Sequence, residues 1–165
     1  MMLLWLACQP FTDSELTTFL RANRRAIDAV QASSEQIETL QTLRHGKGDG
    51  DYTYDGTITS SAYQGAIDVT GTGSSSANGS TLAWSFDLSY RDVVVDDIEM
   101  NGEVEATISI QITDGSVTVG HVVRGPLDLV GAVDGQADCA YAMTASSTSP
   151  ASYTGTVSGV DVAPD

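Results

Sequence analysis

The sequence predicts a mainly β fold of the α+β class. An N-terminal long helix, or two helices, packs on a strongly curved antiparallel β-meander of about seven or eight strands, half-barrel or barrel-like. Three observations predict it. Apolar residues recur at three- and four-residue steps as far as Leu43, and from Tyr52 onward they alternate one by one. The alternating runs are separated by turn signals too short for a helical crossover, which leaves antiparallel neighbours.

The helical part covers residues 11–45. In "FTDSEL", Thr12 is an N-cap and Glu15 follows three residues later, the spacing of a capping box. Phe11 then stands just before the cap and Leu16 in the first turn, the positions of a hydrophobic staple. Leu16, Phe19, Leu20, Ile27, Val30, Ile37, Leu40 and Leu43 form one apolar stripe, with Arg21, Arg24, Arg25, Asp28, Glu35 and Glu38 on the remaining surface. Ser33 or Ser34 in "ASSEQ" is able to cap a second helix, so one kinked helix and two shorter ones both fit. The stripe is expected to cover the apolar face of the sheet.

"RHGKGDGDYTYDG" breaks the stripe, with Gly46, Gly48 and Gly50 forming a connector. Asp49, Asp51 and Asp55 lack the ligand spacing of a calcium loop. The sheet is expected over residues 51–162. Leu82, Trp84, Phe86, Leu88 and Tyr90 share one face, and Ile98, Met100, Gly102, Val104, Ala106, Ile108, Ile110 and Ile112 share another. Asn101-Gly102 has hairpin chemistry, but a two-residue turn there would put Met100 and Glu103 on one side, against every neighbour in the run. A turn at Asp96-Asp97 pairs Val95 with Ile98 and keeps the phase. Asp114-Gly115 passes the same test, and Val117, Val119, His121 and Val123 then point inward.

The phase continues through Leu127, Leu129 and Val133, with Gly125-Pro126 expected to bend its strand or mark an edge. Cys139, Tyr141 and Met143 share a face, and "YTGTVSGV" forms the last alternating segment. "GTGSSSANGS" reads as a Gly/Ser-rich tip between strands, and it contains a glycosylation sequon at Asn78. Gly56, Gly65, Gly102 and Gly155 each sit between two apolar inner-row positions. They are expected to curve the sheet and make room for the helix in its concavity. A straight helix over 13–44 would be about 48 Å long, close to the roughly 46 Å of a strand over 82–95.

Net charge is −15, and it is unevenly placed. Residues 1–47 are neutral, whereas residues 48–165 carry seventeen acidic groups against Arg91 and Arg124 alone. Such a surface repels phosphate backbones, so nucleic acid is not expected as a partner, whereas a divalent cation or a basic protein would be attracted. Mostly it reads as a solvated, like-charged face that keeps the chain soluble.

No catalytic residues, metal ligands or cofactors are expected. His45 reads as solvated and His121 as a satisfied histidine of the inner row, while no Cys/His spacing matches a zinc site. Cys139 reads as buried and inert. Asp87, Asp96, Glu103, Glu105 and Asp114 fall on outward or turn positions, with no two expected to share a cleft as paired acid/base catalysis requires. The chain is therefore not expected to be an enzyme, and its ligand-binding residues are not legible.

"LLWLAC" followed by "QP" resembles the end of a bacterial lipoprotein signal peptide. The resemblance covers residues 1–10, a truncated signal and lipid-attachment segment whose front end a start codon placed too far downstream would remove. It implies cleavage after Ala7, lipid attachment at Cys8, and a membrane anchor through that lipid. Trp5 and Leu6 stand where a Leu and a small residue are usual. An Asp at the place of Gln9 would favour inner-membrane retention, so the resemblance implies a cell-envelope protein, outer-membrane-anchored or secreted. Residues 11–165 are then one domain, with Cys8 outside it and no bond expected between Cys8 and Cys139. Two functions fit: a non-catalytic envelope lipoprotein serving as a binding or structural module, or a carrier holding an apolar ligand between curved sheet and helix.

Overall fold

A computed structural model describes residues 11–45, 50–76 and 79–162, the side chains of 34–45 and 50–52 excepted. One helix, α1 (Asp13–His45), precedes eight strands. These are β1 (Gly50–Ile58), β2 (Gln64–Ser75), β3 (Thr81–Val95), β4 (Ile98–Thr113), β5 (Ser116–Gly131), β6 (Gly135–Ser146), β7 (Ser149–Val157) and β8 (Val160–Asp161). They form a single antiparallel sheet in strict chain order, β1 through β8, and the sheet does not close.

The capping box forms as expected. The Glu15 carboxylate accepts from the Thr12 backbone N–H at 2.8 Å, and the Glu15 N–H donates to Thr12 Oγ1 at 3.3 Å. Phe11 packs against the core beside it. The helix is one element, not two: the Ser33 hydroxyl bonds back to the Ala29 carbonyl at 3.0 Å and caps nothing. The connector glycines 46 and 48 and the sequon at Asn78 lie outside the described residues.

Both sequence-placed turns are present. Asp96 and Asp97 adopt φ of 50° and 62°, and Asp114 and Gly115 adopt 49° and 79°, so each pair has the left-handed geometry that matches strand twist. Asn101-Gly102 runs straight through β4. The Gly/Ser-rich segment is not a tip throughout, since Gly71 to Ser75 pair with Leu82 to Phe86 as the end of β2. Pairing continues there because alternation with Ile67 and Val69 buries one face, and glycine removes a side chain without removing a ladder bond.

The core lies between the inner row of the sheet and one face of α1. Phe19, Ala22, Asn23, Ala26, Ile27 and Val30 are buried, opposite Phe86, Leu88, Met100, Ile108, Leu127 and Val157. Ala22 and Ala26 add no bulk beyond Cβ, which brings the helix backbone close to the strands. Asn23 is the polar member of this face. The Tyr90 hydroxyl donates to Asn23 Oδ1 and Asn23 Nδ2 donates to the Tyr141 hydroxyl, both at 2.8 Å. Among the described residues no buried side-chain nitrogen or oxygen lacks a partner. Burial pushes the pKa of both phenols upward, so they remain neutral donors and acceptors.

Two irregularities shape the sheet. A bulge at Arg91-Asp92 interrupts the β3–β4 register between Tyr90 and Val93, with Asp92 at φ 51°, and it moves the inner row of β3 from even to odd positions. Farther along, β4–β5 pairing stops at Gly102–Leu127 and resumes at Glu105–Arg124. Pro126, which has no N–H to give, stands in the gap. A Cβ on Gly102 would lie 2.7 Å from the Pro126 carbonyl oxygen, and one on Gly125 would lie 2.6 Å from that of Glu103. Gly125-Pro126 therefore interrupts the pairing of β5 with β4 while β6 pairs on its other side, so it marks no edge.

The same distances correct the expectation about glycine. The neighbours that exclude a side chain at Gly65, Gly102 and Gly155 are backbone atoms of the adjoining strand, not the helix. Glycine here lets strand approach strand at a fold in the sheet.

The buried bridge of Asn23 gives the clearest test of this core. Asn23→Leu leaves two phenolic hydroxyls without their partner, at a cost of about 1–3 kcal/mol each. The expected loss is about 3 kcal/mol in urea unfolding, and adding Tyr90→Phe and Tyr141→Phe to that variant restores part of it.

Candidate acidic trough and neighbouring clefts

On the outer face, cross-strand neighbours set the charge pattern. Asp87 pairs with Glu105, Ser89 with Glu103, Asp68 with Ser89, and Glu105 with Arg124. Outward positions of β2 to β5 thus converge over the interrupted stretch of the ladder. The result is a trough of about 680 Å³, with Asp68, Asp87, Glu103 and Glu105 around Gly125 and Pro126. Three of the carboxylates expected to stand apart, Asp87, Glu103 and Glu105, are brought into one cleft.

Their circumstances differ. Asp68 accepts from Thr57 Oγ1 and from Arg91, whose Nε lies 2.7 Å away, and these contacts hold its carboxyl below the ordinary range. Asp87, Glu103 and Glu105 have no ion pair among the described residues. Asp96 and Asp114 lie elsewhere, at turns, with Asp96 accepting a charged hydrogen bond from Arg25 on α1. Arg124 is the cation lining the trough, so its balance is strongly negative. Water-exposed carboxylates on rigid strands attract cations at range and pair with Lys or Arg side chains on contact. Among the described residues no group of three or more His, Cys, Asp or Glu is arranged to hold a metal ion.

Two further clefts flank the helix. One, about 350 Å³, lies between Arg24, Asp28 and Gln31 of α1 and Val119 and Met143 of the sheet. The other, about 400 Å³, lies between the first turns of α1 and the β7 edge.

His121 adjoins the first of these clefts. It is buried in the inner row, with Nε2 3.4 Å from Gln31 Oε1 and 3.7 Å from an Asp28 carboxylate oxygen. Burial, with Arg24 nearby, lowers its pKa to about 4. Burial raises that of Asp28, partly offset by Arg24. Cys139 is likewise buried, its thiol pushed up to about 12 by burial and by Asp138, which leaves it protonated and unreactive. His45 and Cys8 lie outside the side chains described.

No family model, curated protein or solved structure matches the chain. No helix among the described residues is long and apolar enough to cross a membrane.

The trough was hidden from the sequence by the bulge. A regular hairpin turning at Asp96-Asp97 sets Leu88 opposite Glu105, whereas the extra residue shifts the register by one and sets Asp87 there. The available signal was the change of apolar phase between Tyr90 and Val93.

The buried histidine predicts the pH dependence of stability. Its folded pKa lies below the unfolded value, so its neutral form favours folding above pH about 6.5. That stability is lost as pH falls toward the folded value of about 4. Asp28, with its raised pKa, acts in the opposite sense at the acid end. Denaturation midpoints measured at pH about 7 and about 4.5 should fall more steeply with acid in the native chain than in His121→Met.

Proposed function

We propose that this chain is a non-catalytic binding module of the bacterial cell envelope, tethered by lipid on Cys8, that offers its acidic trough to a Lys/Arg-rich segment of a partner protein. The observation that carries this reading is the convergence of Asp87, Glu103 and Glu105, none of them ion-paired among the described residues, over a fold in the sheet. The trough is built on paired strands of the sheet's middle, so its carboxylates are positioned before a partner arrives, which lowers the ordering cost of binding.

The composition of the C-terminal part supports the same reading. Seventeen acidic groups against two arginines steer a cationic partner from a distance, and the trough is where several of them meet. The carrier alternative has less support, because Phe19, Ala22, Ala26 and Ile27 occupy the space between sheet and helix. An apolar ligand there would have to displace α1 and break the Tyr90–Asn23–Tyr141 bridge. The envelope location rests on the lipobox-like residues ahead of Gln9.

Calorimetric titration with decalysine tests the trough. Binding is expected at low salt and should weaken as salt rises. The triple variant Asp87→Asn, Glu103→Gln, Glu105→Gln should bind at least about tenfold more weakly. A control neutralising Asp114, Asp134 and Asp138, of equal charge change, should bind almost as the native chain does; an equal loss in both variants removes the trough from the reading. The tether is tested separately by mass spectrometry of the native protein. Lipid on a Cys8 N-terminus supports it, and an unmodified Met1 eliminates it.

A further inference from the structure

Asn23 and His121 are both buried between helix and sheet, and their contacts differ. The Asn23 amide has two hydrogen bonds of 2.8 Å. The His121 imidazole has longer contacts, with Nε2 3.4 Å from Gln31 Oε1 and 3.7 Å from Asp28 Oδ1. An N–H···O bond spans about 2.7–3.2 Å, so Nε2 stands just outside that range from two oxygens at once.

The fold brings these three atoms together from both layers. Asp28 and Gln31 are three residues apart on α1 and share a face. His121 comes from the inner row of β5 opposite them. Val119 and Met143, the latter its cross-strand neighbour on β6, line the same cleft. Apolar walls lower the local dielectric and strengthen the attraction between a carboxylate and a cation.

The separations suit ligands of a common ion better than hydrogen-bond partners. A tetrahedral ion with bonds of about 2.0–2.2 Å sets its ligand atoms about 3.3–3.6 Å apart. That range contains the first distance and nearly reaches the second. Arg24 Nε lies 3.5 Å from the other Asp28 oxygen, Oδ2, an outer contact of the kind that orients a ligating carboxylate. Burial, with Arg24 nearby, keeps the ring neutral, its pKa lowered to about 4, and neutral imidazole is the form that coordinates. Among the described residues no three His, Cys, Asp or Glu converge; here the third donor is an amide oxygen. That weaker donor and the Arg24 charge both moderate the affinity.

We propose that Asp28 Oδ1, Gln31 Oε1 and His121 Nε2 form a site for a divalent transition-metal ion of the zinc class, which fastens α1 to β5. Water completes the shell from the cleft side. Imidazole with oxygen donors suits this class of ion. The site uses none of the trough's residues and lies on the opposite face of the sheet, so each stands or falls alone.

Zinc ion titrated into the chelator-treated, imidazole-labelled protein near neutral pH tests the site. His45 and His121 are the two histidines of the chain, so their ring nitrogens report separately by NMR. The Nε2 signal of His121 is expected to shift with uptake of one ion, while that of His45 stays, and the denaturation midpoint should rise with zinc concentration. Asp28 is exposed and Gln31 half-buried, so Asp28→Ala combined with Gln31→Ala leaves the core closed. That variant should bind zinc at least about tenfold more weakly. A His121 signal that stays fixed while zinc binds overturns the proposal, as does affinity unchanged in the double variant. Zinc binding lost in the trough variant and kept in the double variant assigns the ion to the outer carboxylates and overturns it too. Absence of binding at millimolar zinc has the same consequence.

Discussion

An eight-stranded sheet that does not close on itself has to cover its inner face with another element, and here one face of one helix provides that cover. Burial of Phe19, Ile27 and Val30 against the sheet is the apolar part of the contact. The polar part is a single amide, Asn23, held from opposite sides by phenols of β3 and β6. An apolar stripe alone permits a helix to slide or rotate over a smooth surface. The two hydrogen bonds have geometry and leave one setting in which no buried polar atom is orphaned. The helix is thereby fixed against β3 and β6.

The second constraint is local and lies in the backbone. Where β4 and β5 stop pairing, a Cβ on Gly102 or on Gly125 would run into a carbonyl oxygen of the other strand. The bulge of β3 sits at the same level as Gly102, opposite Tyr90. Bulge and fold together decide which outer residues meet, so the trough results from irregular pairing more than from any motif. Its acidic character is a matter of composition; its concavity is a matter of where glycine and proline interrupt a ladder.

What could be read from the chain divides along the same line. The helix start was legible because the capping box is a contact among four consecutive residues. The Asp96-Asp97 and Asp114-Gly115 turns were legible because a phase error would have turned whole strands inside out. Strand order followed from loop length. The role of glycine was misjudged, since a sequence shows that Cβ is absent and not which atom excludes it. The carboxylates of the trough were read individually as outward-facing, and they are, but their convergence depends on a one-residue shift at Arg91-Asp92. Asn23 lay within the apolar stripe of the helix and was passed over as polar. Its two partners are 67 and 118 residues distant, beyond the reach of periodicity.

Those separations carry a consequence for how the chain comes to be made. Each strand pairs with the next, so the meander can grow hairpin by hairpin behind a translating or translocating machine. The helix emerges before the sheet and waits. Asn23 meets Tyr90 when the third strand is in place, but its second phenol belongs to the sixth, and until that strand arrives the amide still has a donor to satisfy with water. The bridge acts as a completion mark: a nascent or truncated chain ending before Tyr141 keeps a wet, half-bonded polar atom where the finished protein is dry. Quality-control proteases that sample incomplete chains would find the opening in that same place.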